Sequence, residues 1–248
     1  MFCGVRDRCD FVEAQTLNPW AKTPLTIIDL MTAVESFLHL LKKSADGAVF
    51  NPWWQVDEEN DLDEQRPRIR RGQLRAYFIE RIGIARLVLV GEALGYRGGH
   101  FSGIPMTSER LLLAGQQQVL SSITPRRTSK PQKNPHGFSE PTATMVWNAL
   151  LGLGLPSDRF VLWNAFPWHP FNAKLGLLSN RKPSADELRH GAPILEKMLQ
   201  LFRCKTVIAM GAVAAAQLER IGHSATRVRH PANAGAALFR KQLRDALW

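Results

Sequence analysis

The chain has 248 residues, 45% of them hydrophobic, with a formal net charge of +10. That length buries a full core without staples and suits one α/β domain, alone or with an N-terminal extension. Its three cysteines, Cys3, Cys9 and Cys204, form no CxxC pair and no Cys/His cluster with metal spacing, so reduced free thiols and no metal are expected.

No apolar run approaches membrane-spanning length. The opening MFCGVRDRCDFVEA carries charges where a signal peptide needs an apolar stretch. A soluble, cytoplasmic protein is the expectation. The basic surplus favours a polyanionic partner, because each neutralised phosphate releases counterions. Charge alone does not separate DNA, RNA, anionic lipid and simple solubility.

In chain order, residues 1–24 show no clear period and read as an extension. From Thr26 to Lys43, apolar Ile27, Leu30, Val34, Phe37, Leu38 and Leu41 recur at helical spacing. Trp53 and Trp54 read as core. Six acids between Asp57 and Glu64 and four arginines between Arg66 and Arg71 read as a solvated loop. A helix over about Gly72–Arg81 closes residues 1–85, an extension and helical flank expected to pack on a main domain over 86–248.

From Arg86 four short apolar runs appear: RLVLVG (86–91), RFVLWNAFP (159–167), KTVIAMG (205–211) and ATRVRHP (225–231). Helical patterns separate them at about 108–121, 141–153, 184–202 and 212–221, and a last helix spans about 234–247. Continuous apolar strands alternating with helices predict a mostly parallel four-stranded sheet in a three-layer α/β/α sandwich. Ligands of such sheets bind beyond the carboxyl ends of the strands. The residues placed there are Gly91 and Glu92, then Asn164, then Gly211, then His230 and Pro231. Singly, each has an ordinary structural reading, as a turn former or a cap. Together they bring a carboxylate, a carboxamide and an imidazole to one edge.

These residues carry a resemblance. GEALGYRGGHFSGIPMTSE (91–109), VLWNAFP (161–167) and RHPANAG (229–235) resemble, in order and spacing, the three motifs of the uracil-DNA glycosylase superfamily, over about Arg86–Leu247. The GEA opening is similar to the iron–sulfur branch, and the long glycine loop leading to SGIP is similar to the single-strand-selective branch. The resemblance implies hydrolysis of the N-glycosidic bond of a damaged base in DNA, with the nucleotide flipped out of the stack. It implies Glu92 positioning water below the anomeric carbon, Asn164 pairing with uracil O4 and N3–H, and neutral His230 donating to O2. Met106, Tyr96 and Ala93 would surround the base. Gly95, Ser102, Ser108 and Asn233 would form the loop or meet the DNA backbone, with turn or N-cap roles equally open to the two serines.

Three departures matter. The cluster cysteines of the iron–sulfur branch are missing, so no cluster or other cofactor is expected. Met106 stands where most relatives stack a phenylalanine on the base; Tyr96 or Phe101 would have to supply the ring, or the pocket admits another base such as hypoxanthine. Ala232, Asn233, Ala234 and Gly235 follow the His-Pro motif in place of a bulky wedge, which favours single-stranded or mismatched DNA. No lysine lies in the three motifs to form a Schiff base, so a monofunctional enzyme, acting as a monomer, is expected.

Weaker features are FPWHPF (166–171), whose Trp168 and His169 suit either base stacking or an aromatic turn. ITPRRTSKPQKNPHG (123–137), with four basic residues and three prolines, suits a phosphate-contacting or a solvated loop, as does LSNRKP (178–183). The competing readings are a catalytically silent nucleic-acid binder, a covalent DNA adduct through His169 or His100, and a flavodoxin-like nucleotide binder. The last lacks GxGxxG.

Overall fold

A computed structural model describes residues 26–115 and 118–248. The expected extension over 1–24, with Cys3 and Cys9, lies outside the described residues. The elements are α1 (Ile27–Leu40), β1 (Val49–Phe50), α2 (Arg66–Ile79), β2 (Leu87–Ala93), α3 (Gly99–Ser102), α4 (Glu109–Ala114) and α5 (Pro141–Gly152). They continue with β3 (Phe160–Phe166), β4 (His169–Pro170), α6 (Ala185–Phe202), β5 (Thr206–Met210), α7 (Ala212–Arg220), β6 (Thr226–Val228) and α8 (Ala236–Leu247).

β3, β2, β5 and β6, in that spatial order, form one parallel sheet of four strands flanked by helices. Every residue of β3 is buried, which requires both faces to be covered. The expected architecture is therefore the observed one. β2 is central: the chain moves to β3 on one side, then crosses to β5 on the other. That reversal puts a topological switch point at the carboxyl end of β2, where open α/β sheets bind ligands.

Local chemistry explains the helix starts. Thr26 and Asp29 form a capping box on α1, and Ser184 and Glu187 form another on α6. α1 buries Val34, Phe37 and Leu38, and its C-cap Leu41 is buried with them. Trp53 is buried and stacks on Trp163 of β3, with ring centroids 6.3 Å apart. Residues 26–85 thus share their apolar side chains with the same core as the sheet.

Several expectations are corrected. The arginine run is not solvated loop. α2 begins at Arg66, with Pro67 in its first turn, where a missing N–H costs nothing. In the acidic run Glu58, Glu59, Asp63 and Glu64 are exposed as expected, but Asp57 and Asp61 are not. Asp61 is buried against the equally buried Arg70, which donates to its carboxylate at 2.5 and 2.8 Å and also reaches the Gln55 carbonyl at 3.0 Å. Asp57, also buried, accepts from Asn60 at 2.9 Å. α4 stops at Ala114, short of the expected 121, because Gly115 takes a left-handed C-cap with φ 69°. The loop over 123–137 is pinned by Glu109, whose Oε1 accepts from the backbone of Thr128 at 2.6 Å and Ser129 at 3.0 Å. β1 pairs antiparallel with β4, a two-stranded sheet that no sequence period announces.

Candidate active site

Four strand ends meet at the switch point. Glu92 is the penultimate residue of β2, Asn164 stands two residues before the end of β3, Met210 closes β5, and Arg229, His230, Ala232 and Asn233 follow β6. They line one cleft of about 370 Å³, together with Gly91, Ala93, Gly95 and Met106.

Asn164 is the most informative residue there. Its carboxamide is buried, yet neither Oδ1 nor Nδ2 has a hydrogen-bond partner. An amide left unpaired in a protein interior costs free energy and needs an explanation. A planar ligand edge offering one donor and one acceptor would complete it. Its neighbour in register is Gly91 of β2. A Cβ there would stand 2.8 Å from Asn164 Oδ1 and 3.2 Å from Met106 Sδ, so only glycine leaves the amide its place.

Glu92 is half-buried. Burial pushes its carboxyl pKa up from the ordinary value, and the Lys182 ammonium partly opposes this. His230 accepts at Nδ1 from the Ala232 N–H at 3.1 Å. That bond fixes the tautomer and leaves Nε2 carrying the proton. Burial, then the neighbouring Arg229 charge, hold His230 below its usual pKa, so it is a neutral donor near pH 7. The loop holding it is tightly coiled. Asn233 and Ala234 take left-handed φ of 53° and 59°, and Gly235 leaves no room for a Cβ beside the His230 carbonyl.

The glycine loop is anchored rather than mobile in its packing. Gly103, with φ 74°, packs on the Arg70 backbone at a distance no Cβ would survive. Its carbonyl accepts from Trp53 Nε1 at 2.9 Å, and the Ser102 carbonyl accepts from Gln73 at 2.7 Å. Met106 itself holds a strained φ of 48°. Its carbonyl accepts from Trp147 Nε1 at 3.2 Å, so the loop presents the thioether to the cleft from a fixed backbone.

The structure thus brings Glu92, His230, Asn164, Met106, Ala93, Gly95 and Asn233 together. It leaves three expected residues outside the cleft. Tyr96 lines a neighbouring groove with Arg110 and Phe138, because its N–H is tied to Asn180 Oδ1 at 3.0 Å and its hydroxyl to Arg97 at 2.8 Å. The Ser102 hydroxyl is buried and donates to the Thr107 carbonyl at 2.6 Å. Ser108 is the N-cap of α4, accepting from Leu111 N–H. Both hydroxyls are engaged within the loop.

Phe101 is buried and stacks on Phe138, 4.2 Å between centroids, so it is not the missing ring. Trp168 is buried and donates to the Leu41 carbonyl. His100 and His169 are buried against one another and Asp57, and neither lines the cleft. The base-stacking and adduct readings of these side chains are therefore set aside. Among the described residues, no three His, Cys, Asp or Glu side chains are grouped to hold a metal ion, and no helix is long and apolar enough to cross a membrane.

Sequence reasoning missed Glu140, Thr142 and Met210, all on the cleft wall. Asn180 and Arg181 also line it; their stretch, 178–183, had only its basic composition to mark it.

The sequence model of the Uracil DNA glycosylase superfamily matches residues 82–248. No curated protein matches the chain. Among solved structures, the crystal structure of wild-type Pedobacter heparinus SMUG2 is similar with a TM-score of 0.52 at 14% identity, covering 86% of this chain and 96% of that one. At that identity the likeness speaks for the fold. The strand-end cleft and a family match over more than half its length agree: the chain belongs to the uracil DNA glycosylase superfamily.

Proposed function

We propose that the protein is a monofunctional DNA glycosylase that hydrolyses the N-glycosidic bond of uracil, or another deaminated base, in DNA. The observation that carries this reading is the unpaired, buried carboxamide of Asn164 on the wall that also holds Glu92 and His230. A flipped uracil presents O4 as acceptor and N3–H as donor, the complement of that amide. Cytosine presents the reverse and would leave both atoms unpaired against the amide in this orientation, which is how such sites discriminate.

Bond breaking places positive charge on the sugar and negative charge on the base. The Glu92 carboxylate favours the sugar cation and orients the attacking water, whose proton it accepts. The His230 Nε2–H donates to O2 of the leaving base, where charge develops. Among the described residues no lysine lines the cleft, which supports hydrolysis without a Schiff base and without strand cleavage. The small residues Ala232–Gly235 support a preference for single-stranded or mismatched DNA, where flipping costs least. We read the protein as a cytoplasmic monomer.

The test uses end-labelled oligonucleotides carrying one deoxyuridine, single-stranded or opposite guanine or adenine, treated with alkali and run on a denaturing gel. Uracil-dependent cleavage is expected, with losses of about 10²–10⁴-fold in Glu92→Gln and His230→Ala and loss of the uracil-over-cytosine preference in Asn164→Ala. A parent that binds DNA but cleaves nothing overturns the reading in favour of a silent binder.

A further inference from the structure

Glu140 is the N-cap residue of α5 and one wall of the cleft. Its carboxyl reaches across the glycine loop. Oε1 lies 3.1 Å from where a Gly95 Cβ would stand, and any side chain on Gly98 would overlap Oε2. The loop is therefore glycine at both positions where this carboxyl rests. The Asn180 amide flanks the same point on Gly95, at 3.6 and 3.7 Å.

No cation answers this carboxyl. The charged or titratable groups on the surrounding elements are Glu92 on β2, Arg97 on the glycine loop, Arg181 and Lys182 before α6, and Arg229 and His230 after β6. Arg97 donates to the Tyr96 hydroxyl at 2.8 Å. Arg181 is held by Glu187 at 2.6 and 2.7 Å. Lys182 acts on Glu92. Glu140 itself forms no ion pair among the described residues. With burial unopposed, its carboxyl is pushed up to about 7.

What such a group could do follows from the edges of a flipped base. In the function proposed above, on which this inference rests, His230 takes O2 and Asn164 takes the O4 and N3–H edge. The edge left over is C5–C6 in a pyrimidine, which has no acceptor for an acid. In a purine that edge carries N7, a ring nitrogen whose protonation makes the base a far better leaving group. Met106 replaces a ring on the cleft wall, and the Glu140 carboxyl takes the place beside Gly95 that a side chain would fill.

We propose that Glu140 is a general acid for release of deaminated purines from DNA, protonating N7 from the cleft wall it shares with Gly95. The Glu140 proton passes to N7 as the bond from the sugar to N9 breaks. The bonding electron pair stays on the base, which leaves neutral. Water adds to the sugar cation and gives its proton to Glu92. Glu140 ends ionised, Glu92 ends protonated, and proton exchange with solvent resets both.

The probes are oligonucleotides carrying a single hypoxanthine or a single uracil, followed in single turnover from pH 5.5 to 8.5. In the parent, hypoxanthine release is expected to fall as pH rises through about 7, while uracil release does not share that alkaline limb. In Glu140→Gln the ratio of hypoxanthine to uracil release should drop by about 10²-fold or more, and the limb should vanish. Glu140→Asp should restore part of the ratio. Equal losses on both bases would mean a structural role and overturn the proposal, as would an unchanged ratio or an unchanged limb. A parent that releases uracil but no hypoxanthine refutes this inference alone. A parent that releases neither refutes the glycosylase reading beneath it.

Discussion

Gly91 of β2 and Asn164 of β3 face one another across the parallel ladder, and the missing Cβ of the one is the space that holds the amide of the other. Neighbouring strands in register set this distance, so it does not relax easily. In Gly91→Ala the new methyl would meet Asn164 Oδ1 at 2.8 Å, before it meets the softer Met106 and Met210 side chains at 3.2 and 3.4 Å. The amide must turn. A displacement of about 1 Å in a positioning group costs about a hundredfold in rate. Single-turnover uracil release should fall by about that factor, while overpacking removes only about 1–3 kcal/mol of stability. A variant that melts lower but keeps its rate would separate Gly91 from the site.

Glu92 and His230 impose opposite protonation demands that converge. Glu92 must be ionised, and burial raises its pKa from 4.5; His230 must be neutral, and burial lowers its pKa from 6.5. Both conditions are met on the alkaline side, so uracil release should rise with pH between those two ordinary values and then level. Lys182 supplies the positive charge that opposes the rise in Glu92. Removing that charge favours the protonated carboxyl. In Lys182→Ala the acid limb of the pH–rate profile should therefore move to higher pH, with the plateau rate retained. A limb that stays put would show that Glu92 does not govern it.

The strands and their ends were legible because four buried runs with polar terminators leave little choice of fold, and a ligand edge follows from the fold. Asn164 and His230 could be placed from sequence for that reason. Glu140 could not. It stands at the start of a helix, after a loop without period, and only the close packing of Gly95 and Gly98 reveals which way its carboxyl points. The buried members of the acidic and basic runs misled for a different reason. A charge run reads as solvated unless its counter-charge is known, and Asp61 finds Arg70 through a turn, at helix-start geometry that composition does not display. β1 and β4, two residues each, are too short to carry a period.

That ion pair supports the next expectation. The side chains of Arg70 and Asp61 are both fully buried. Arg70 also donates to the carbonyls of Pro52 and Gln55 and underlies Gly103. Removing one partner of a buried pair leaves an uncompensated charge and costs about 3–5 kcal/mol. Arg70→Ala should lose that much in urea denaturation. Because Gly103 rests on the Arg70 backbone rather than on its guanidinium, the folded fraction should keep its cleft. The paired change Arg70→Met with Asp61→Leu should recover much of the loss, since it removes both charges together. If the double variant is no better than the single one, the pair contributes more than its mutual compensation.

His169 sets the last expectation. Its Nε2 lies 2.7 Å from the Ser179 carbonyl oxygen and must carry a proton. Its Nδ1, 3.0 Å from His100 Nδ1, therefore accepts. His100 donates from that nitrogen and shares one further proton with Asp57 Oδ2, 3.0 Å from its Nε2. A second proton on His169 would set two N–H groups against each other. Burial first, then the His100 charge, push its pKa down to about 3. In the unfolded chain the same imidazole returns to its ordinary 6.5. Between those values the unfolded chain binds a proton that the folded chain excludes, so stability is full above the higher value and declines as pH falls below it. The urea midpoint of the parent should drop from pH 7 to pH 4.5. His169→Asn should start lower at pH 7, having lost the relay, and decline less steeply over the same range. Parallel declines in the two proteins would assign the acid sensitivity to other groups and leave His169 as packing alone.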